Sequence, residues 1–137
     1  MKPNAVLTVS SLLSLLLLSI HITDDIVRGF DKWGRGSAFF AVLILPIFLY
    51  GTLVLGERRS GLVIMILGGI FAAGMPVIHR GAGAVAKSSG GFFFLWTLFA
   101  LGATGTLSIV LAARALRLSA KKTIMTAVAH ENPDRRG

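Results

Sequence analysis

Four long apolar runs, at residues 5–22, 38–55, 62–78 and 92–113, alternate with short polar stretches, and none of the four contains an Asp, Glu, Lys or Arg. About 20 helical residues cross a hydrocarbon core, with a range of roughly 17–25, and each run has that length. Lipid offers an open strand no hydrogen-bond partner, so each run is predicted to be a helix. The expected fold class is therefore an all-α membrane protein. It is a single domain over residues 1–137, built as a four-transmembrane-helix antiparallel bundle.

The first run also resembles the apolar part of a signal peptide, with Lys2 before it and a leucine-rich centre at Leu12 to Leu18. A small-x-small cleavage pattern is missing, because Ser19, Ile20, His21 and Ile22 follow, so an uncleaved helix is the preferred reading.

The connections are short. Residues 56–61 form a charged hairpin that makes the second and third spans antiparallel neighbours, and residues 80–91 are a glycine-rich loop too small for a folded domain. Between residues 23 and 37, Ile26, Val27, Phe30 and Trp33 recur at helical spacing, which predicts a short interfacial helix after the first span. Thr23 is its expected cap, with Asp24 and Asp25 in the first turn where negative charge suits the helix dipole. A polar, basic tail over 114–137 completes the chain, with disorder expected at its end.

Charge sets the orientation. With both termini on one side, that side carries nine of the 14 Lys and Arg: Lys2, Arg58, Arg59, Arg114, Arg117, Lys121, Lys122, Arg135 and Arg136. The positive-inside bias then puts both termini in the cytoplasm, with a bacterial inner membrane as the expected location. Around the first span alone the bias runs the other way, since Arg28, Lys32 and Arg35 follow it. Trp33 and Trp96 both fall near the non-cytoplasmic interface and fit an aromatic belt.

Composition agrees with this placement. Hydrophobic residues make up 54% of the 137 residues, and the mean hydropathy of +0.77 is too apolar for a soluble domain that is mostly surface. The net charge of +8 does not imply a nucleic-acid partner, because the basic residues sit in clusters beside apolar spans, where anionic headgroups account for them. Membrane lipids, together with a membrane-protein partner or self-association, are the expected partners. With no cysteine, thiol redox catalysis, zinc fingers, iron–sulfur clusters and covalent haem attachment are excluded.

Packing signals lie on the later helices. Gly68 with Ala72 and Gly69 with Ala73 are spaced four apart, Gly102 and Thr106 repeat the theme, and such pairs permit close approach in lipid. Pro46 and Pro76 are expected to kink their helices.

The candidate chemistry is sparse. His21 ends the first span and His79 the third; these spans run the same way, so both imidazoles emerge at one face. His21 and Asp25 are four apart and share a helix face, with Ser10 and Ser14 further down it. Thr97, Thr104 and Ser108 make a polar stripe on the fourth helix. One reading is a metal site of His21, His79, Asp25 and Asp24, suited to a transition metal. Another is a b-type haem between His21 and His79, with Arg80 near a propionate. A His–Asp pair also suits a general base acting on a lipid-like substrate. The plainer account makes the histidines interfacial residues and the aspartates a helix cap.

Other classes fit less well. A four-helix proton-coupled drug exporter needs a carboxylate inside a span, and all six acidic residues lie outside. Gly81 to Ala84 lacks the strand and helix context of a phosphate loop. Ser88 and Ser89 have no adjacent base. Residues 92–96, Phe-Phe-Phe-Leu-Trp, form a lipid-facing or packing belt, with a quinone or isoprenoid contact as the lesser alternative. The leading expectation is a non-enzymatic accessory or structural subunit of a larger membrane complex, or a homo-oligomer. The metal- or haem-binding protein is the alternative, and a small lipid-carrier transporter comes third.

Overall fold

The structure, a computed structural model, describes residues 3–28, 35–79 and 91–131. Every regular element among them is a helix: α1 (Pro3–Arg28), α2 (Arg35–Leu53), α3 (Arg59–His79) and α4 (Gly91–Glu131). Three of the helices, α1, α3 and α4, are long and apolar enough to cross a membrane, over Ala5–Val27, Arg59–Val77 and Gly91–Val128. In α2 the apolar segment is Leu43–Leu53.

The helix bounds differ from expectation most at the ends of α1 and α4. α1 does not stop at Thr23. The Thr23 hydroxyl donates to the Ser19 carbonyl at 2.7 Å, a bond made inside a continuing helix, so it does not cap a new one. No glycine or proline interrupts the chain between Asn4 and Arg28, and the helix has no local reason to end sooner. The expected interfacial helix therefore has its first residues absorbed into α1, while residues 29–34 lie outside the described residues. At the other end, α4 continues to Glu131, well past the apolar run that ends at 113. At 1.5 Å per residue its 41 residues reach roughly 60 Å, about twice a hydrocarbon core. The Ala, Leu, Arg and Lys content of residues 113–122 consists of strong helix formers, which explains the extension.

The charged hairpin between α2 and α3 is present, with the Arg58 N–H donating to the Leu55 carbonyl at 2.8 Å. α3 packs most extensively on α4, and α1 packs next most on α4. The α3–α4 contact is a backbone approach. A Cβ added to Gly105 would lie 2.7 Å from the Ala73 nitrogen and 2.8 Å from the Gly69 carbonyl oxygen. One added to Gly69 would lie 2.9 Å from the Gly105 oxygen. Gly68 faces the ring of Phe48 on α2, which is 1% exposed. Both α2 and α3 remain helical through Pro46 and Pro76.

α1 is organised differently. Its buried positions are Leu7, Ser10, Ser11, Ser14, Leu17, Leu18 and His21, spaced so that 7, 11, 14, 18 and 21 alternate four and three with 10 and 17 beside them, which is one helix face. Val9, Leu13, Leu16 and Ile20 point outward. The buried face therefore mixes four polar side chains with three leucines, while the outer face over residues 9–20 carries large apolar side chains.

A buried histidine at the end of a hydroxyl seam

The polar face of α1 meets α4 in an antiparallel register. Ser10 Oγ lies 3.0 Å from Ser108 Oγ and also donates to the Thr104 carbonyl at 3.3 Å. From Ser10 to His21 is eleven residues along α1; the same eleven-residue step back along α4 leads from Ser108 to Thr97, which is His21's partner. The interior is layered as a result. Leu7 and Ala112 belong to one apolar cluster, and the hydroxyls of Ser10, Ser14, Thr104 and Ser108 come next. Leu17, Leu18 and Leu101 form a second apolar layer, and His21 with Thr97 lies beyond it.

His21 is fully buried. Its ring lies 5.0 Å from that of Phe94 between centroids, tilted by 37°. Thr97 Oγ1 donates its single proton to the Phe94 carbonyl at 2.8 Å, so toward His21 it is an acceptor. The His21 Nδ1, 3.3 Å from Thr97 Oγ1, therefore carries a hydrogen. That leaves Nε2 facing Asp25 Oδ2 at 3.7 Å.

The spacing also suits a shared metal ion. Ligand atoms each ~2.0–2.1 Å from one ion sit no more than about 4 Å apart. Nε2 and Oδ2 meet that limit, but two ligands are too few, and no group of three or more His, Asp or Glu able to hold a metal occurs among the described residues. Asp24 follows on the same turn, half-buried, and lines a groove on the outer side of α1. His79 is the last residue of α3, on a helix that also runs antiparallel to α4, while its side chain and all of Arg80 lie outside the described residues.

Two participants escaped the sequence reading. Phe94 was grouped with its neighbours in an aromatic belt, yet it is 3% exposed where Phe92 is 85% exposed. Its step of three to Thr97 and seven to Leu101 was the available signal, masked by apolar residues on every side. Ser11, fully buried next to Ser10, was also passed over.

No family model, no curated protein and no solved structure matches the chain.

Proposed function

We propose that the chain is a four-span integral membrane protein of a bacterial inner membrane, folded as an antiparallel bundle with both termini cytoplasmic. In that membrane it serves as a small non-enzymatic subunit, packed against a larger membrane complex or against its own copies. The observation that carries the reading is the outer face of α1, where Val9, Leu13, Leu16 and Ile20 are exposed while Ser10, Ser14 and His21 lie inside among Leu7, Leu17 and Leu18. In water that outer face would stay uncovered; in lipid it is covered. α1 and α3 both pair antiparallel with α4 and so run the same way. The chain must return between them, and α2 is the element available for that return. The subunit role is supported by the interior itself, where the hydroxyls hold helices together and the described loop is a tight turn.

The absence of native cysteine makes the test clean. Single cysteines at Glu57→Cys and Ser88→Cys should react with an impermeant thiol reagent from opposite sides of the membrane, Glu57→Cys from the cytoplasm. Labelling from one side, or a protein monodisperse without detergent, sinks the topology. In mild detergent the native mass should exceed that of one chain; a strict monomer sinks the subunit role.

The approach of His21 Nε2 to Asp25 Oδ2, 3.7 Å, favours a second reading, a cation centre at the non-cytoplasmic end built on His21 and Asp25 with His79 as a further ligand, while Asp24 faces the outer groove. Because Nε2 is turned to Asp25, this arrangement favours a non-haem ion over the b-type haem that His79 and Arg80 would help to hold. Elemental analysis should then find close to one transition-metal ion per chain, lost in His21→Ala. A visible haem band in the purified protein would reverse the preference, and a metal-free protein would remove the reading.

A further inference from the structure

The end of α4 has two unlike faces. Between Leu118 and Val128, the positions on one side are Ser119, Ala120, Thr123, Thr126 and Ala127, all of them small. This side is turned to the bundle, because Thr123 Oγ1 accepts a hydrogen bond from Arg59 Nη2 of α3 at 2.7 Å. The other side carries every large side chain of the segment. Leu118, Ile124, Met125 and Val128 are 60–64% exposed, and Arg117, Lys121 and Lys122 stand exposed among them. Leu118 and Met125 take the a position of a heptad, Lys121 and Val128 the d position, so apolar and basic groups share one stripe. No glycine or proline, the usual cause of a kink, occurs between residues 106 and 131, and the end of α4 continues the direction of its apolar run. At 1.5 Å per residue, Met125 and Val128 stand about 18 and 22 Å beyond residue 113. A headgroup layer is only about 5–8 Å thick.

We infer that this face docks an acidic amphipathic helix of a membrane-protein partner, one with apolar residues along its own stripe and Asp or Glu beside them. The inference rests on the orientation and subunit role proposed above, and it gives the partner its chemistry. Charge selects that partner. The chain has no Asp or Glu between residue 106 and Glu131, so the segment supplies no counter-charge to its own cations. A second copy rises from the same side of the membrane and sets Lys121 against Lys121, a like-charge contact that works against self-pairing. Headgroups reach Arg114 and Arg117 at the membrane surface, but not Met125 or Val128. The exposed apolar residues are aliphatic, so they offer nucleic-acid bases no stacking platform.

The test uses the full-length protein in mild detergent and two synthetic three-heptad peptides with leucine at a and d, one carrying glutamate at e and g, the other lysine. Fluorescence anisotropy should show saturable binding of the glutamate peptide, about tenfold tighter or more than the lysine one. Met125→Ser leaves the charge alone and should weaken binding about tenfold, since it removes one apolar side chain from the contact. Lys121→Glu combined with Lys122→Glu should also weaken it about tenfold. Thr126→Ala, on the small-residue side, should leave it unchanged. All of these positions are exposed, so the thermal midpoint should hold in every variant. Equal affinity for the two peptides overturns the inference. Binding unmoved by Met125→Ser overturns it too, because attraction of charge alone would then suffice. In phosphatidylglycerol vesicles, a fluorophore on Met125→Cys should escape quenching by spin-labelled lipid; strong quenching makes the membrane the occupant instead. Rapid, complete disulfide formation between Met125→Cys chains makes it a second copy. A protein with a native mass above one chain that ignores the glutamate peptide loses only this docking face. A strict monomer that binds the peptide keeps the face and loses the subunit role.

Discussion

Two seams meet on α4, and they hold its neighbours by opposite means. Against α3, α4 offers Gly105 to Gly69 and Ala73, with backbone nearly on backbone. Against α1, it offers the side chains of Ser108 and Thr97 and the carbonyl of Thr104 to Ser10 and His21, in hydrogen bonds. In the lipid placement proposed above, helices gain nothing by hiding apolar surface from apolar solvent, so dispersion between closely packed backbones and polar contacts between helices remain as the forces available. The first seam uses dispersion and the second uses polar contacts. The comparison teaches that the α3–α4 seam is limited by shape and the α1–α4 seam by stoichiometry of donors and acceptors. The two should therefore fail differently.

Shape should fail hardest. Gly105→Leu places a branched side chain where the nearest atoms are the Ala73 nitrogen and the Gly69 oxygen, backbone atoms that cannot rotate away. Overpacking usually costs 1–3 kcal/mol, and with no flexible neighbour to yield we expect the upper end, about 3 kcal/mol, read as a large fall in the thermal midpoint in detergent. An enlarging substitution at the outward-facing Leu107, Leu107→Phe, should leave the midpoint nearly unchanged. Equal tolerance at both positions would mean the α3–α4 approach is not the tight one.

The polar seam should respond more gently. Ser10→Ala removes the bond to the Thr104 carbonyl and the one to Ser108 together. Interhelical hydrogen bonds in lipid are worth about 0.6 kcal/mol on average and up to about 1.7, because the separated helices find other partners. Ser108 can also turn its hydroxyl back onto its own helix. The expected loss is about 1 kcal/mol in detergent-induced unfolding. A loss as large as that of Gly105→Leu would make the polar seam the principal contact and reverse the comparison.

How much of this was legible follows from the same physics. The apolar runs announce helices because a charge in lipid is costly, and the chain keeps its charges out of them. Ser10, Ser14 and His21 stood out as one face because they are polar against an apolar background. Thr97, Thr104 and Ser108 stood out likewise. The pairing of His21 with Thr97, 76 residues away, was not legible, since it depends on the register in which α1 lies against α4. Phe94 was hidden because hydropathy cannot say which face of a uniformly apolar helix turns inward. The end of α1 was misjudged because a threonine near a helix end can cap a new helix or bond back to its own. Only the neighbouring turn decides between the two. His79 and Arg80 are placed by sequence at the end of the third span, and the metal and haem readings that use them stand as proposals.

The smallest expected effect has the opposite sign and probes the donor count directly. Ser11 is fully buried beside Ser10, and its Oγ is a buried hydroxyl oxygen without a hydrogen-bond partner among the described residues. A buried, unpaired hydroxyl is a cost the fold carries, and replacing it by a methyl removes that cost while leaving only a small void. Ser11→Ala should be neutral or raise stability by up to about 0.5 kcal/mol, where Ser10→Ala one residue away lowers it. The two changes delete the same atom from the same helix turn, so helix propensity, which favours alanine at both, cancels in the difference. Measured side by side in one detergent, opposite signs would show that the α1–α4 seam is set by which hydroxyls find partners. Equal losses would mean that Ser11 is bonded in the membrane, with α1 rotated so that its polar face is wider than Ser10, Ser14 and His21.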